Sequence, residues 1–562
     1  MKRARPRRFR RLMELPPDLA RGRVVYALCR PLYRSPLAGL LLRRRGEAAI
    51  QPVGADAWPG SPERGREIAQ GLFRLAGQEI REPVPLGRPV GAEKEWRAAF
   101  NGFAWLGDLM ALGPAAAPVA RAFVQRWIEE NPRFEALAWR PDVTGRRLAS
   151  WLGEPAVLDA GEDPAAARRL QDSVGQQARH LAQVLPAGLC GERLLAAVKG
   201  LVYAGLALGG SEALLQAGLK QLKLALPRQL FSDGGHRERS PAVQLAVLRD
   251  LVDIRAALEA AGREPPADLA AAIAAMAPAL RMFQSADGGL ALFNDSDEGP
   301  AGAVDLALLR ADAKAPALAS APHSGFERLA AGASVLLVDA GRPAAPGFDS
   351  HAHAGTLSFE FSHGRERLIV NCGAQPGGGE WRLAQRSTAA HSTLSVDDTN
   401  SSLLLEGGEG VALRPANVPV TREEAEGNAW LDLSHDGYRP RFGLTHYRRL
   451  YLSADGMDLR GQDRLEPAGG RRSSAGRFAL RFHLHPDVHA SLALDGQAVL
   501  LRLARGGGFR LRVAGGEVAL AESVYLGRPG ERRRCQQVAV TGEIQATGAE
   551  VKWSLTKESR KR

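Results

Sequence analysis

A chain of 562 residues, 45% apolar and 24% charged, is too long for one hydrophobic core and has the composition of a water-soluble protein with two large domains. Its four cysteines, Cys29, Cys190, Cys372 and Cys535, show no CxxC pair or framework spacing, so the chain needs no oxidising compartment. The net charge of +12 is uneven: the first fifty residues hold fourteen Lys and Arg against three Asp and Glu, leaving the remainder nearly neutral.

The chain opens on a basic arm, MKRARPRRFRRLMELPP, which can touch nucleic acid, an anionic lipid surface or an acidic polymer, or simply remain solvated. No aromatic-interleaved basic motif accompanies it, so nothing here marks a dedicated nucleic-acid binder. Charges and prolines interrupt the stretch after the arm, and SPLAGLLL runs into RRRGE, so no secretory signal is read there. No window reaches the ~18 apolar residues that a membrane-spanning helix needs. Residues 1–59 are read as arm and extension.

From residue 60 to about 320 apolar residues recur three and four apart. SPERGREIAQGLFRLAGQ, with Ser61 as N-cap, reads as one helix, and EWRAAFNGFAWLGDLMALG as another. Further runs, ending in SPAVQLAVLRDLVDIRAALEAAG and PADLAAAIAAMAPALRMFQ, are joined by short Gly and Pro turns, as in antiparallel helical hairpins. The join is expected near APALASAPHSG, residues 315–325. From 325 to 562 the period switches to two, in segments such as SVLLVDAG, TLSFEFSHG, YRRLYLSADG and FALRFHLHP punctuated by Gly- and Asp-rich turns. This predicts an antiparallel β-sandwich following an all-helical domain, an α+β multidomain chain.

Chemistry-bearing residues gather in three places. In HAHAGTLSFEFSHGRERLIVNCG, His351 and His353 stand two apart at the expected start of a strand, which would put both imidazoles on one face. The following strand ends at Asn371 and Cys372, and RSTAAHSTLSVDD adds Arg386, His391, Asp397 and Asp398. In LFSDGGHRERSP, Asp233 opens a turn followed by His236, Glu238 and Arg239; His236 and Glu238 can shuttle a proton and Arg239 can hold a carboxylate. Earlier, FNGFAWLGDL carries Trp105 as a sugar platform or a core aromatic, and WRPDVTGRRL carries Arg140, Asp142, Arg146 and Arg147 as an anion-binding turn.

These stretches resemble the heparinase II/III-like family of polysaccharide lyases. The likeness spans roughly residues 60–560 and is strongest at HAHAGTLSFEF, RSTAAHSTLSVDD, SHDGY and HYRRLYLSADGMDLRGQDRL. The resemblance implies an α/α toroid followed by an antiparallel β-sandwich, and β-elimination on an acidic, uronic-acid-containing polysaccharide at the bacterial cell envelope. The absence of a signal peptide leaves the cytoplasm as the other location. The resemblance also implies that His351 is catalytic and that His353, with Asn371 and His391, stands where some members ligate a structural zinc; no cofactor is required for the chemistry.

Several positions depart from the family pattern. Arg193, Gly191 and Ala197 replace its helical His, Asn and Glu; Val243, followed by Gln244, stands where the catalytic tyrosine is expected. Gly355 and Asn371 replace two of its aspartates. Arg193 could then meet a uronate carboxylate, and His236, Glu238 or Tyr203 could stand in for the base. The rival readings are a glycan-binding protein without chemistry, and a hydrolase pairing Glu238 with Asp108 or Asp233.

Overall fold

The computed structural model describes residues 12–35, 42, 50–54, 58–82, 86–159, 163–375, 379–405, 410–470, 474–493, 496 and 498–558; the first eleven residues of the basic arm lie outside them. Packing divides the chain into two compact units, Met1–Gln229 with Ala246–Ile273, and Leu230–Leu245 with Ala274–Arg562. The four cysteines are free thiols.

The first unit is helical. Ser61 caps the helix Pro62–Ala69, its hydroxyl accepting from the Arg64 amide. The helix stops well short of the expected Gln78: Gly71, at φ +79°, turns the chain into an antiparallel hairpin of Leu72–Leu75 and Gln78–Arg81. Phe73 is wholly buried there, edge-on to Phe100 and Trp105. The next run likewise breaks at Phe103, at φ +58°, into Lys94–Gly102 and Leu106–Met110. Trp105 is core, not a sugar platform: it is 3% exposed, stacks on Phe103, and donates its indole N–H to the Phe100 carbonyl.

Small residues set a very close helix crossing. A Cβ on Gly145 of Pro141–Leu152 would lie 2.4 Å from the Ala197 Cα, and one on Gly200 of Gly191–Ala207 would lie 2.4 Å from the Gly145 Cα. Only paired glycines let these two backbones touch. The same helices absorb the expected anion turn. Arg140 grips Asp142 through two bonds of 2.6 and 2.7 Å, and Arg146 pairs with Glu192 at 3.0 Å. Arg147 is buried, donating to Gln177 and to the carbonyls of Asn101 and Ala138, with its guanidinium 4.1 Å from the Trp127 ring centre.

The second unit carries two large antiparallel sheets and a small pair, Leu403–Leu404 with Val411–Leu413. The eight-stranded sheet runs Val420–Ala425, Asn428–His435, Leu444–Leu452, Asp458–Pro467, Ala549–Lys557, Gly508–Ala514, Ala498–Arg502, His489–Leu492. The other runs Glu517–Tyr525, Arg533–Glu543, Arg477–Leu484, Glu366–Val370, Phe359–His363, Ser334–Asp339, Phe326–Ala331, Ser320–Ala321, with Leu394–Val396 also paired to Arg477–Leu484. Alternate residues of both sheets meet in one apolar core that includes Leu336, Phe359, Leu480, Leu459 and Trp553. The Trp553 indole lies flat on Phe359 (5.5 Å, 8°) above Gly461, where a Cβ would stand 2.1 Å from it.

That core also contains a polar network. Asp463 accepts from Trp553 Nε1 at 3.0 Å, from Arg448 Nε at 2.7 Å and from His446 Nε2 at 2.8 Å, and His446 meets His435 at 3.3 Å. Burial, then the adjacent His446, hold His435 well below the usual imidazole range; burial pushes His483 down to about 4. Unfolded histidines titrate near pH ~6.5, so as pH falls below that value the unfolded chain takes up protons that these folded histidines refuse. Stability therefore falls from about pH 6.5 toward pH 4, by up to ~1.4 kcal/mol per pH unit for each such histidine. Thermal melts across that range should show a steadily dropping Tm; a flat profile would mean that these rings are not held neutral.

Candidate active site

Within the second unit, the segment that carries His351 and His353 is not a strand; strand structure begins only at Phe359. Its backbone is instead clasped from one side. Arg382 donates to the Ser350 carbonyl (3.0 Å), Arg386 to that of Ala352 (2.7 and 2.9 Å) and Thr388 Oγ1 to that of Ala354 (2.7 Å). With alternate carbonyls fixed, the intervening histidines project together even without a sheet partner.

Both rings converge on Asp295. His351 Nδ1 lies 3.0 Å from Asp295 Oδ2, and His353 Nε2 lies 2.7 Å from Oδ1. Arg382, from the helix Gly379–Arg386, closes a two-pronged ion pair on the same carboxylate. Asn294 and Asp295 both adopt positive φ, 48° and 59°, which turns their side chains into the cluster. Asn294 Oδ1 accepts from the His353 amide, and its Nδ2 donates to the Arg239 carbonyl. Burial alone would raise Asp295; the Arg382 charge, helped by the adjacent His351 and His353, outweighs it and holds the carboxyl well below its usual range.

The chain of contacts runs on to His391, whose Nε2 is 3.1 Å from His353 Nδ1 and whose Nδ1 lies 2.7 Å from the Ser387 carbonyl. That carbonyl requires the His391 proton on Nδ1, so Nε2 offers His353 only a lone pair. Burial lowers both rings: His391, further depressed by His353, falls well below the usual value, while for His353 Asp295 offsets part of a fall to which Arg382 and Arg386 add. The ring of His391 also explains the loss of the family aspartate at Gly355, where a Cβ would stand 2.6 Å from His391 Cδ2.

His351 is the open member of this cluster, with 26% of its side chain exposed, and its Nε2 lies 3.4 Å from Glu238 Oε2. Glu238 is buried in the turn that follows Leu230. Its amide donates to His236 Nδ1 (3.2 Å), which places the His236 proton on Nε2, and the His236 amide donates to Gln244 Oε1 (2.7 Å). Gln244 also donates to the carbonyls of Gly234 and Met276. The residue beside the replaced tyrosine thus shapes the loop that presents Glu238, while Val243 is buried.

Of the residues expected at the site, His351, His353, His391 and Glu238 meet directly, and His236 supports Glu238 from behind. Arg239, expected to hold a carboxylate, is instead a buried strut: its guanidinium pairs with Asp339 at 2.5 Å and donates to the carbonyls of Ser324, Gly325 and Arg342. Asp233 is committed to the amides of Gly235, His323 and Ser324, and Asp108 to the Ser61 amide and Arg64, so neither is set up as a paired carboxylate for hydrolysis. Tyr203 and Arg193 belong to the helical unit. Tyr203 is buried, and desolvation raises its phenol far above the usual range. Asp295, Asn294 and Arg382 were not among the expected residues; the signal for the first two is the turn-forming Asn-Asp in LFNDSDEG.

The donors do not fit a structural zinc. Two imidazoles 3.1 Å apart are present, but Asn371 is a neutral amide whose Oδ1 accepts from the Ser392 amide and whose Nδ2 faces Glu360. Among the described residues no three His, Cys, Asp or Glu side chains are arranged to hold a metal. Zinc should therefore be absent or substoichiometric after mild chelation; tight one-to-one retention by elemental analysis would contradict this.

Two family models match the chain: heparinase II/III N-terminus over residues 88–308 and heparinase II/III-like, C-terminal over residues 313–554. The FtsZ-localized protein C of Caulobacter vibrioides is 34% identical over 523 residues, covering 89% of each chain. Among solved structures, a heparinase III matches with TM-score 0.71 at 14% identity over 96% of this chain and 92% of its own. The heparan sulfate lyase HepC of Pedobacter heparinus matches with TM-score 0.57 at 15% identity, over 97% and 88%. These likenesses support a helical toroid followed by a β-sandwich.

Proposed function

Because this chain belongs to the heparinase II/III-like family, we propose that it is a polysaccharide lyase, cleaving a uronic-acid-containing acidic glycan by β-elimination at the bacterial cell envelope. The observation that carries this reading is His351: the partly exposed imidazole of an otherwise buried cluster, with Nδ1 on Asp295 and Nε2 turned toward Glu238.

In the reaction a base removes the uronate C5 proton, the electron pair forms the C4=C5 double bond, the C4–O4 bond breaks, and O4 leaves with a proton. His351 carries a proton in one of these transfers, and Glu238 is the adjacent carboxylate that can exchange it. Asp295 is a positioning residue: by accepting from Nδ1 it fixes the tautomer, so that Nε2 is the working nitrogen. Proton transfer by a placed side chain contributes roughly 10²–10⁴-fold to rate. The valine at 243 removes the phenol that would share this work, so the burden on the His351–Glu238 pair is greater.

The test is product formation on a panel of uronate polymers, read as the ultraviolet absorbance of the new double bond. His351→Ala should lower turnover by ~10²-fold or more while leaving the chain folded, since Arg382 and His353 still contact the Asp295 carboxylate. Equal turnover by an active wild type and His351→Ala would remove the assignment. Binding of a polymer without release of any product would reduce the site to a glycan cleft, and saturated ends would mean hydrolysis.

A second reading concerns place. The 34% identical relative is by name FtsZ-localized, which supports this chain gathering where FtsZ assembles. A fluorescent fusion imaged beside labelled FtsZ in its own cells should then co-localise with it; uniform fluorescence would discard the reading.

A further inference from the structure

A cavity of about 420 Å³ opens within the second unit, and three arginines line it. Arg328 lies on the strand Phe326–Ala331, whose Leu329 belongs to the apolar core, so alternation turns Arg328 to the opposite face of the sheet. Arg281 comes from the last turn of the helix Ala267–Met282, and Arg365 from the turn between Phe359–His363 and Glu366–Val370. Another wall is the tight turn Ser285–Gly288, closed by the Gly288 amide on the Ser285 carbonyl at 3.0 Å.

None of these three cations meets a carboxylate among the described residues. Arg328 donates to the carbonyls of Met282 (3.1 Å) and Gln284 (2.7 Å). Burial, with no acid to offset it, pulls its guanidinium below the usual range. Arg281 donates to the Ala313 carbonyl at 3.2 Å, while its Nε is buried without a hydrogen-bond partner. Arg365 is exposed on its turn.

Two acids share the cavity, and one is already neutralised. Asp287 takes two bonds from Arg367, at 2.7 and 3.0 Å, whereas Asp305 accepts only from the Gln284 amide, at 2.8 Å. Three arginines therefore face one uncompensated carboxylate. An oxyanion entering here gains charge-assisted hydrogen bonds and relieves part-buried cations of their missing counter-charge.

Size and the other polar groups indicate what carries the oxyanion. A water accounts for about 30 Å³, so a bare ion would leave most of this volume to solvent. Gln284 and Asp305 add an amide and a carboxylate, which exchange hydrogen bonds with ring hydroxyls. The cavity is also remote from His351. The strand Phe359–His363 leads away from the histidine cluster to the Arg365 turn, roughly 15 Å along the sheet.

We propose that this cavity is a second binding site, taking one acidic sugar residue: Arg281, Arg328 and Arg365 hold its carboxylate, sulfate or phosphate, and Gln284 and Asp305 meet its hydroxyls. The site stands on its own charges and does not depend on the lyase reading.

Calorimetric titration of the full chain with glucuronic acid, glucose 6-sulfate and glucose 6-phosphate should show saturable binding of at least one, and none of glucose. Arg365→Glu, on an exposed turn, should weaken that binding on the order of tenfold or more. If that variant misfolds, Arg281→Gln should weaken binding in the same direction. Binding should persist in His351→Ala, which separates this site from the one that carries the lyase reading. Absence of binding by all three sugar acids, or equal binding of glucose, would overturn the proposal. So would inorganic phosphate binding as tightly as the sugar acids, or a folded Arg365→Glu variant that binds like the wild type.

Discussion

Asp295 is a carboxylate in a place that water barely reaches, and the arrangement of the surrounding residues follows from how its charge is balanced. Its side chain is 9% exposed, and one arginine and two imidazoles share its two oxygens. A buried carboxylate stripped of such a partner costs about 3–5 kcal/mol, so Arg382 and the histidines are held by a strong mutual constraint. Arg382 carries that constraint outward, because the guanidinium that neutralises Asp295 also holds the Ser350 carbonyl. The loop is thus registered to the carboxylate by backbone and side chain together, and His351 keeps its orientation although it is part-exposed and outside any strand.

Much of this architecture can be read from the sequence, because the signals involved are local. The switch from a helical to a two-residue period near residue 320 depends only on neighbours, and the strands after 325 follow it closely. The readings that failed are those where a local pattern was overruled from a distance. LFRLAGQ continues a helical rhythm, yet Gly71 at positive φ and the demand of Phe73 for the aromatic cluster make it a hairpin. His351 and His353 were expected on a strand because they alternate; they do share a side, but arginines from residues 382 and 386 impose it.

The site itself was half legible. Histidines are few and conspicuous, so His351, His353 and His391 could be picked out, and the dense turn at 236–239 yielded Glu238. Asp295 could not be found in this way, since its partners lie more than fifty residues along the chain and an acidic turn looks solvated until they are in place. The replacements at 243, 355 and 371 look like losses when read singly. In the fold, each has a local counterpart: Gly355 gives the His391 ring its room, Asn371 receives the Ser392 amide, and the Val243–Gln244 pair fills and braces the turn beneath Glu238.

Arginine counts mislead for a related reason. A basic chain invites the expectation that many of its cations await anionic ligands. Here Arg147, Arg239, Arg367, Arg386 and Arg448 are each no more than 5% exposed, and all five donate to main-chain carbonyls as internal braces. The guanidinium suits this work, since its five donors stay charged and can tie several carbonyls of an irregular segment at once. Charge used in this way contributes little to the outer surface. The cations of the first fifty residues therefore weigh more in the molecule's encounters than their share of the formal charge implies. Along the sequence they fall within and on either side of a helix that leaves leucines exposed, so the net positive charge of this chain is concentrated toward its start.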